Sequence, residues 1–166
     1  MQCQVSETEV KQAQLPHNLF ITGLFAFNLL MIPAVIILNT GMPGLLIPLF
    51  SSGVLVAYIY LRSKKTTNWF VDMHWLLAFR NSRWLMWGYA VTAVLIFIAW
   101  LISLTAHEAS MKHILWTALT RIALLPTLIA VMVTAVSEAS AISLASKREV
   151  PDKLAASFPP PGVAMQ

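Results

Sequence analysis

Arg121 is the residue whose place in the chain most needs a chemical reason. It stands inside a long apolar run, roughly 10 Å of helical rise from where that run begins. A guanidinium so deep in hydrocarbon costs about 2.5–3.5 kcal/mol on insertion scales, so it normally has a partner or water. No Asp or Glu lies inside the long apolar runs, and the nearest acid in sequence, Glu108, falls outside them. Three roles fit: snorkelling toward headgroups, pairing with a carboxylate or lipid phosphate from another subunit, or lining a gate. Asn28 lies in the middle of another apolar run. A buried amide in lipid seeks a hydrogen bond worth about 0.6–2 kcal/mol, which makes contact between helices its first expectation.

Four histidines raise the question of haem, since paired imidazoles inside helical bundles ligate iron. His17, His74, His107 and His113 all sit at the ends of apolar runs or between them, where imidazoles are usually solvated. His107 and His113 also fall on nearly opposite faces of a helix. No cofactor or metal is expected. Asp72 and His74 are spaced i and i+2, which a helix points apart, and read as interfacial polar residues. Glu138, flanked by Ser137 and Ser140, lies just past the last apolar run. A carboxylate at a helix carboxyl end opposes the dipole, so a solvated boundary with a basic neighbour such as Lys147 is its expected setting.

The elements that must carry these groups are set by hydropathy. The chain has 166 residues, 58% of them hydrophobic and 11% charged, with a mean hydropathy of +0.72. A soluble domain carries about 25% charge, so this composition belongs in lipid. The apolar runs predict an all-α integral membrane protein with transmembrane helices over about 18–38, 45–61, 84–105 and 114–136. Pro16 precedes the first helix, where a missing amide costs little, while Pro33 predicts a kink and Pro126 a bend. The link 39–44, dense in turn formers, predicts an antiparallel hairpin of the first two helices. Gly23, Ser51, Ser52, Gly53, Ala123 and Ala130 read as close-packing faces.

Between the second and third runs, a short interfacial helix is expected over about 68–80. Trp69, Phe70, Met73, Leu76 and Leu77 share one face of it, but Arg80 falls there too, and Trp75 points elsewhere. Arg80 and Arg83 suit anionic lipid, and apolar groups on several sides suggest cover by another protein. The domain reading is a polar segment 1–16, a four-helix membrane domain 17–137 and a polar tail 138–166. Its prolines at 159–161 favour an extended tail over a packed one.

Net charge is +4 with a pI near 9.5, yet the basic residues gather beside apolar runs instead of forming a nucleic-acid surface. Arg62, Lys64, Lys65, Arg80 and Arg83 lie in one loop, and Lys147, Arg148 and Lys153 follow the last run. Cytoplasmic loops carry such an excess, so both termini are expected inside, in a bacterial inner membrane. The lone Cys3 excludes chemistry that needs a cysteine pair, and the polar start argues against a cleaved signal peptide.

Four spans, both ends inside and a basic middle loop resemble, in layout alone, the immunity proteins against pore-forming colicins. Small multidrug exporters share the span number but need a carboxylate in the first span, which this chain lacks. The expected function is a non-catalytic packing or accessory subunit of a larger membrane assembly, such as a secretion, conjugation or respiratory complex. Its partners would be lipid and other membrane subunits, with no nucleic acid. A small homo-oligomeric channel or transporter with Arg121 at a pore is the alternative.

Overall fold

The computed structural model describes residues 1–38, 41–65 and 67–160. Among them the regular secondary structure is all helix, apart from one isolated antiparallel bridge between Gln2 and Glu149. Four helical stretches are long and apolar enough to cross a membrane: Glu7–Val35, Leu46–Ser63, Trp69–Leu104 and Ala109–Ser146. Each contains the greater part of one expected run. The boundaries differ because hydropathy marks the lipid-length stretch, not the helix ends.

Helix α1 (Glu7–Gly23) begins well inside the segment read as a polar leader, so Pro16 lies within it and not before it. A reciprocal cap fixes the start. Glu9 N donates to Ser6 Oγ and Ser6 N to Glu9 Oε2, while Glu7 and Glu9 meet the positive end of the dipole. A π-helical segment follows (Leu24–Met31), then helix α2 (Ile32–Ile37), which carries Pro33 at its second position. Pro33 has no amide for the Leu29 carbonyl, and its ring crowds that carbonyl. The wider π pattern just ahead of it is how the backbone absorbs the misfit.

Helix α3 (Gly41–Ser63) starts inside the expected 39–44 link, of which residues 39 and 40 lie outside the described residues. It packs against α1, the π segment and α2. A Cβ at Gly23 would meet Leu55, and Asn28 bonds Ser52. The partner number falls as the first number rises, the mark of an antiparallel pair. Gly53 is no packing face, because a Cβ there would meet nothing within 4 Å.

Helix α4 (Trp69–Leu104) runs unbroken for 36 residues. The separate short helix expected at 68–80 is its first turns. Nothing in Asn81-Ser82-Arg83 stops a helix, and Ser82 Oγ bonds back to the Phe79 carbonyl. Asn68 caps the start by accepting from Phe70 N at 2.9 Å. Helix α5 (Ala109–Ala123) and helix α6 (Leu125–Ser146) form the fourth stretch, interrupted at Leu124. Pro126 cannot donate to the Ile122 carbonyl, which places the break two residues before it.

The end of α6 is closed by a Schellman turn, with Glu149 N on Leu144 O and Arg148 N on Ala145 O. Arg148 takes the left-handed conformation, φ 59°, that glycine usually fills. Residues 149–158 are not a free tail. Met1 and Cys3 pair with Val150 and Arg148 through main-chain bonds of 2.8–2.9 Å. The short helix α7 (Asp152–Ser157) buries Leu154 and Ala155.

The chain divides into two compact units, one of residues 1–82 with 135–166, the other of residues 83–134. In the second unit α4 and α6 approach closely at Gly88, where a Cβ would lie 2.4 Å from that of Ala130. Thr92 and Thr127 share a hydrogen bond of 2.8 Å there.

Candidate functional site

In the first unit three ionisable side chains, each fully buried, meet on three helices: His17 of α1, His74 of α4 and Glu138 of α6. His17 rides the buried stripe Ala13, Pro16, His17, Phe20. Its spacing of three and four residues is the period that keeps one helix face covered. His74 lies among the buried Phe70, Val71, Met73 and Ala78, and Glu138 continues a stripe with Ala141 and Ala145. The same periodicity that makes these helices pack therefore carries all three polar groups inward.

The three groups form a chain of hydrogen bonds. His17 Nδ1 lies 2.6 Å from Glu138 Oε2, and His17 Nε2 lies 3.1 Å from His74 Nδ1. The two imidazoles meet edge to face, ring centroids 5.3 Å apart, and Phe70 closes over His74 at 4.8 Å. A neutral imidazole donates from one nitrogen and accepts at the other. With His17 Nδ1–H donating to the carboxylate, its Nε2 accepts from His74 Nδ1–H, and His74 Nε2 carries a lone pair. Two atoms at the ends of this chain, His74 Nε2 and Glu138 Oε1, have no hydrogen-bond partner among the described residues. The main chain of Glu149 faces His74 without reaching hydrogen-bonding geometry.

This arrangement corrects the setting expected for Glu138, His17 and His74. Glu138 is not a solvated boundary group beside Lys147, which is exposed; its partner is His17. His17 and His74 are the two most enclosed histidines, while His107 and His113 are exposed as expected. A signal was present. All three residues fall at the same end of their apolar runs once the spans alternate, so they share a depth although 57 and 121 residues separate the paired positions.

The interfacial residues serve α4's start and its packing. Asp72 accepts from Thr67 N at 2.8 Å and Thr67 Oγ1 at 2.9 Å, with Arg62 3.9 Å away. Trp75 is buried, stacked under the Arg62 guanidinium at 5.2 Å and edge-on to Tyr58. Trp69 donates its indole N–H to the Phe158 carbonyl. Arg80 and Arg83 are exposed. The apolar groups on several sides of this segment are thus covered largely by the chain itself.

Asn28 is buried, and its Nδ2 donates to Ser52 Oγ at 3.4 Å, the bond between helices that its position predicts. Arg121 lies exposed in the last turn of α5, in the second unit, and makes no ion pair among the described residues. No cluster of three or more His, Cys, Asp or Glu side chains among them is arranged to hold a metal ion. Compared with protein-family models, curated proteins and solved structures, the chain matches none.

Proposed function

We propose that the protein is a non-catalytic, multi-pass subunit of a larger assembly in a bacterial inner membrane, with both termini in the cytoplasm. The observation that carries this reading is how little of each candidate span the chain covers. In every one of the four, 22% of the most apolar window is buried inside the structure. The remaining surface, including Trp84, Trp87, Phe97, Ile129 and Met132, is exposed and apolar. Hydrocarbon or helices of other subunits must cover it. The pairing of residues 1–3 with 148–152 supports both termini on one face, since main-chain bonds cannot bridge a bilayer. The basic 62–83 loop supports the cytoplasm as that face. Extraction in a mild detergent followed by native mass measurement tests the reading: a particle containing other subunits is expected, and a stable monomer without partners overturns it.

A second reading, a small homo-oligomeric channel or transporter, is favoured by the buried Glu138–His17–His74 chain. Ionisable residues within membrane proteins commonly mark ion or proton paths. Reconstituted vesicles test it through pH-driven flux, which Glu138→Gln should abolish if the reading holds; no flux from the unmodified protein removes it.

A further inference from the structure

We propose that Glu138, His17 and His74 form a binding site for one proton, taken up at His74 Nε2 and held on His17. This goes beyond the subunit reading and does not depend on it. Three observations carry it: the three side chains are fully buried, they are hydrogen-bonded in series, and the outer nitrogen of the series has no hydrogen-bond partner among the described residues.

The proton count can be followed atom by atom. In the empty site Glu138 is a carboxylate and both imidazoles are neutral, each with its hydrogen on Nδ1, giving a charge of −1. A proton arriving at His74 Nε2 makes that ring an imidazolium. Its Nδ1 proton then moves along the 3.1 Å contact to His17 Nε2. His74 is neutral again, its hydrogen now on Nε2 and directed where the Glu149 main chain lies. His17 becomes the imidazolium, held between the His74 Nδ1 lone pair and the Glu138 carboxylate at 2.6 Å.

The loaded site has no net charge, whereas the empty one leaves a carboxylate buried without a cation. Burying an uncompensated charge is the more costly state, so the enclosure itself favours uptake. Among the described residues, the titratable side chains bonded within the site are His17 from α1, His74 from α4 and Glu138 from α6. The turn after α6 brings the Glu149 main chain, while Lys147 and Arg148 are exposed. No other charged side chain lies within ion-pair or hydrogen-bonding distance of the three among the described residues.

The test is ¹⁵N-histidine NMR on the full chain in lipid nanodiscs at neutral pH, with His17 and His74 assigned by His17→Gln and His74→Gln. His17 should be protonated on both nitrogens while His74 is neutral, and Glu138→Gln should return His17 to the neutral form. Neutral rings at both positions in the unmodified protein overturn the proposal, as does a doubly protonated His17 that Glu138→Gln leaves unchanged. Hydrogen exchange at the His17 ring gives a second measurement if Glu138→Gln does not fold. In His74→Phe that exchange should slow at least tenfold with His107 unaffected; an unchanged rate rejects His74 as the point of uptake.

Discussion

His17 Nδ1 and Glu138 Oε2 stand 2.6 Å apart with both side chains wholly withdrawn from solvent. Removing one partner strands the other, and an unsatisfied buried polar group costs about 1–3 kcal/mol. Glu138→Ala should lower stability by that amount, measured by thermal unfolding in detergent. In a double-mutant cycle, His17→Phe with Glu138→Leu should lose less than the sum of the two single losses, because the His17–Glu138 bond is lost only once, while His74 loses its acceptor in both the single and the double His17 variant. Strictly additive losses would show that the two side chains do not interact.

Asn28 and Ser52 make the corresponding neutral contact between α3 and the π segment. Asn28→Ala should cost about 0.6–2 kcal/mol, the range for hydrogen bonds between membrane helices. In a double-mutant cycle with Ser52→Ala the coupling should be positive and smaller than the Asn28→Ala loss.

The glycines should respond in a fixed order. At Gly88 a new Cβ would meet the Ala130 Cβ at 2.4 Å and the Pro126 carbonyl oxygen at 3.3 Å, atoms that cannot move aside. At Gly23 it would meet the flexible tip of Leu55, and at Gly53 nothing. Gly88→Ala should therefore destabilise by about 1–3 kcal/mol, Gly23→Ala by less, and Gly53→Ala should stabilise by up to about 1 kcal/mol. Melting temperatures of the three variants check the order.

Arg148 occupies a left-handed position at φ 59° that costs an L side chain about 1–2 kcal/mol. Arg148→Gly should raise the melting temperature while preserving the Schellman turn, and Arg148→Val should lower it. A lower melting point for the glycine variant would count against this account of the turn.

The Met1 amine and Asp152 Oδ1 form an exposed ion pair of 2.6 Å. Its hydrogen bond and charge hold the amine above its ordinary 8.0 and the carboxyl below its ordinary 3.8. The carboxyl's contribution is complete above 3.8 and is lost as pH falls through the lower folded value. The amine's contribution is complete below 8.0 and is lost as pH rises through the higher folded value. Amide exchange at Cys3 and Val150 should therefore be slowest, after correction for intrinsic rates, between about pH 4 and 8. Asp152→Asn should flatten that profile.

The four long helices were legible because each needs only local composition: an apolar stretch of lipid length is its own signal. Pro33 and Pro126 likewise announced trouble in the backbone, and the structure meets it with a π segment and an interruption. Ser6 and Glu9 have the spacing of a reciprocal cap, and that local signal, not hydropathy, sets the start of α1 ahead of the apolar run. Elsewhere the deciding forces were tertiary. Two of the aromatic residues between Trp69 and Phe79 are in contact within the chain, Trp75 with Tyr58 and Phe79 with Tyr60, contacts that no local pattern records. Glu138 and His17 could be placed at one depth from the sequence. That they touch is set by helix rotation, which no single segment records.

The main-chain pairing of Met1–Cys3 with residues 148–150 has a consequence for synthesis. Residues 148–150 are made well after residues 1–3, so the clasp stays open while the intervening chain is translated, on the order of ten seconds at typical rates. His17 likewise waits for Glu138. The helices between are thus complete before residues 1–3 find residues 148–150. A ribosome stalled before residue 138 would leave α1 translated but without its carboxylate.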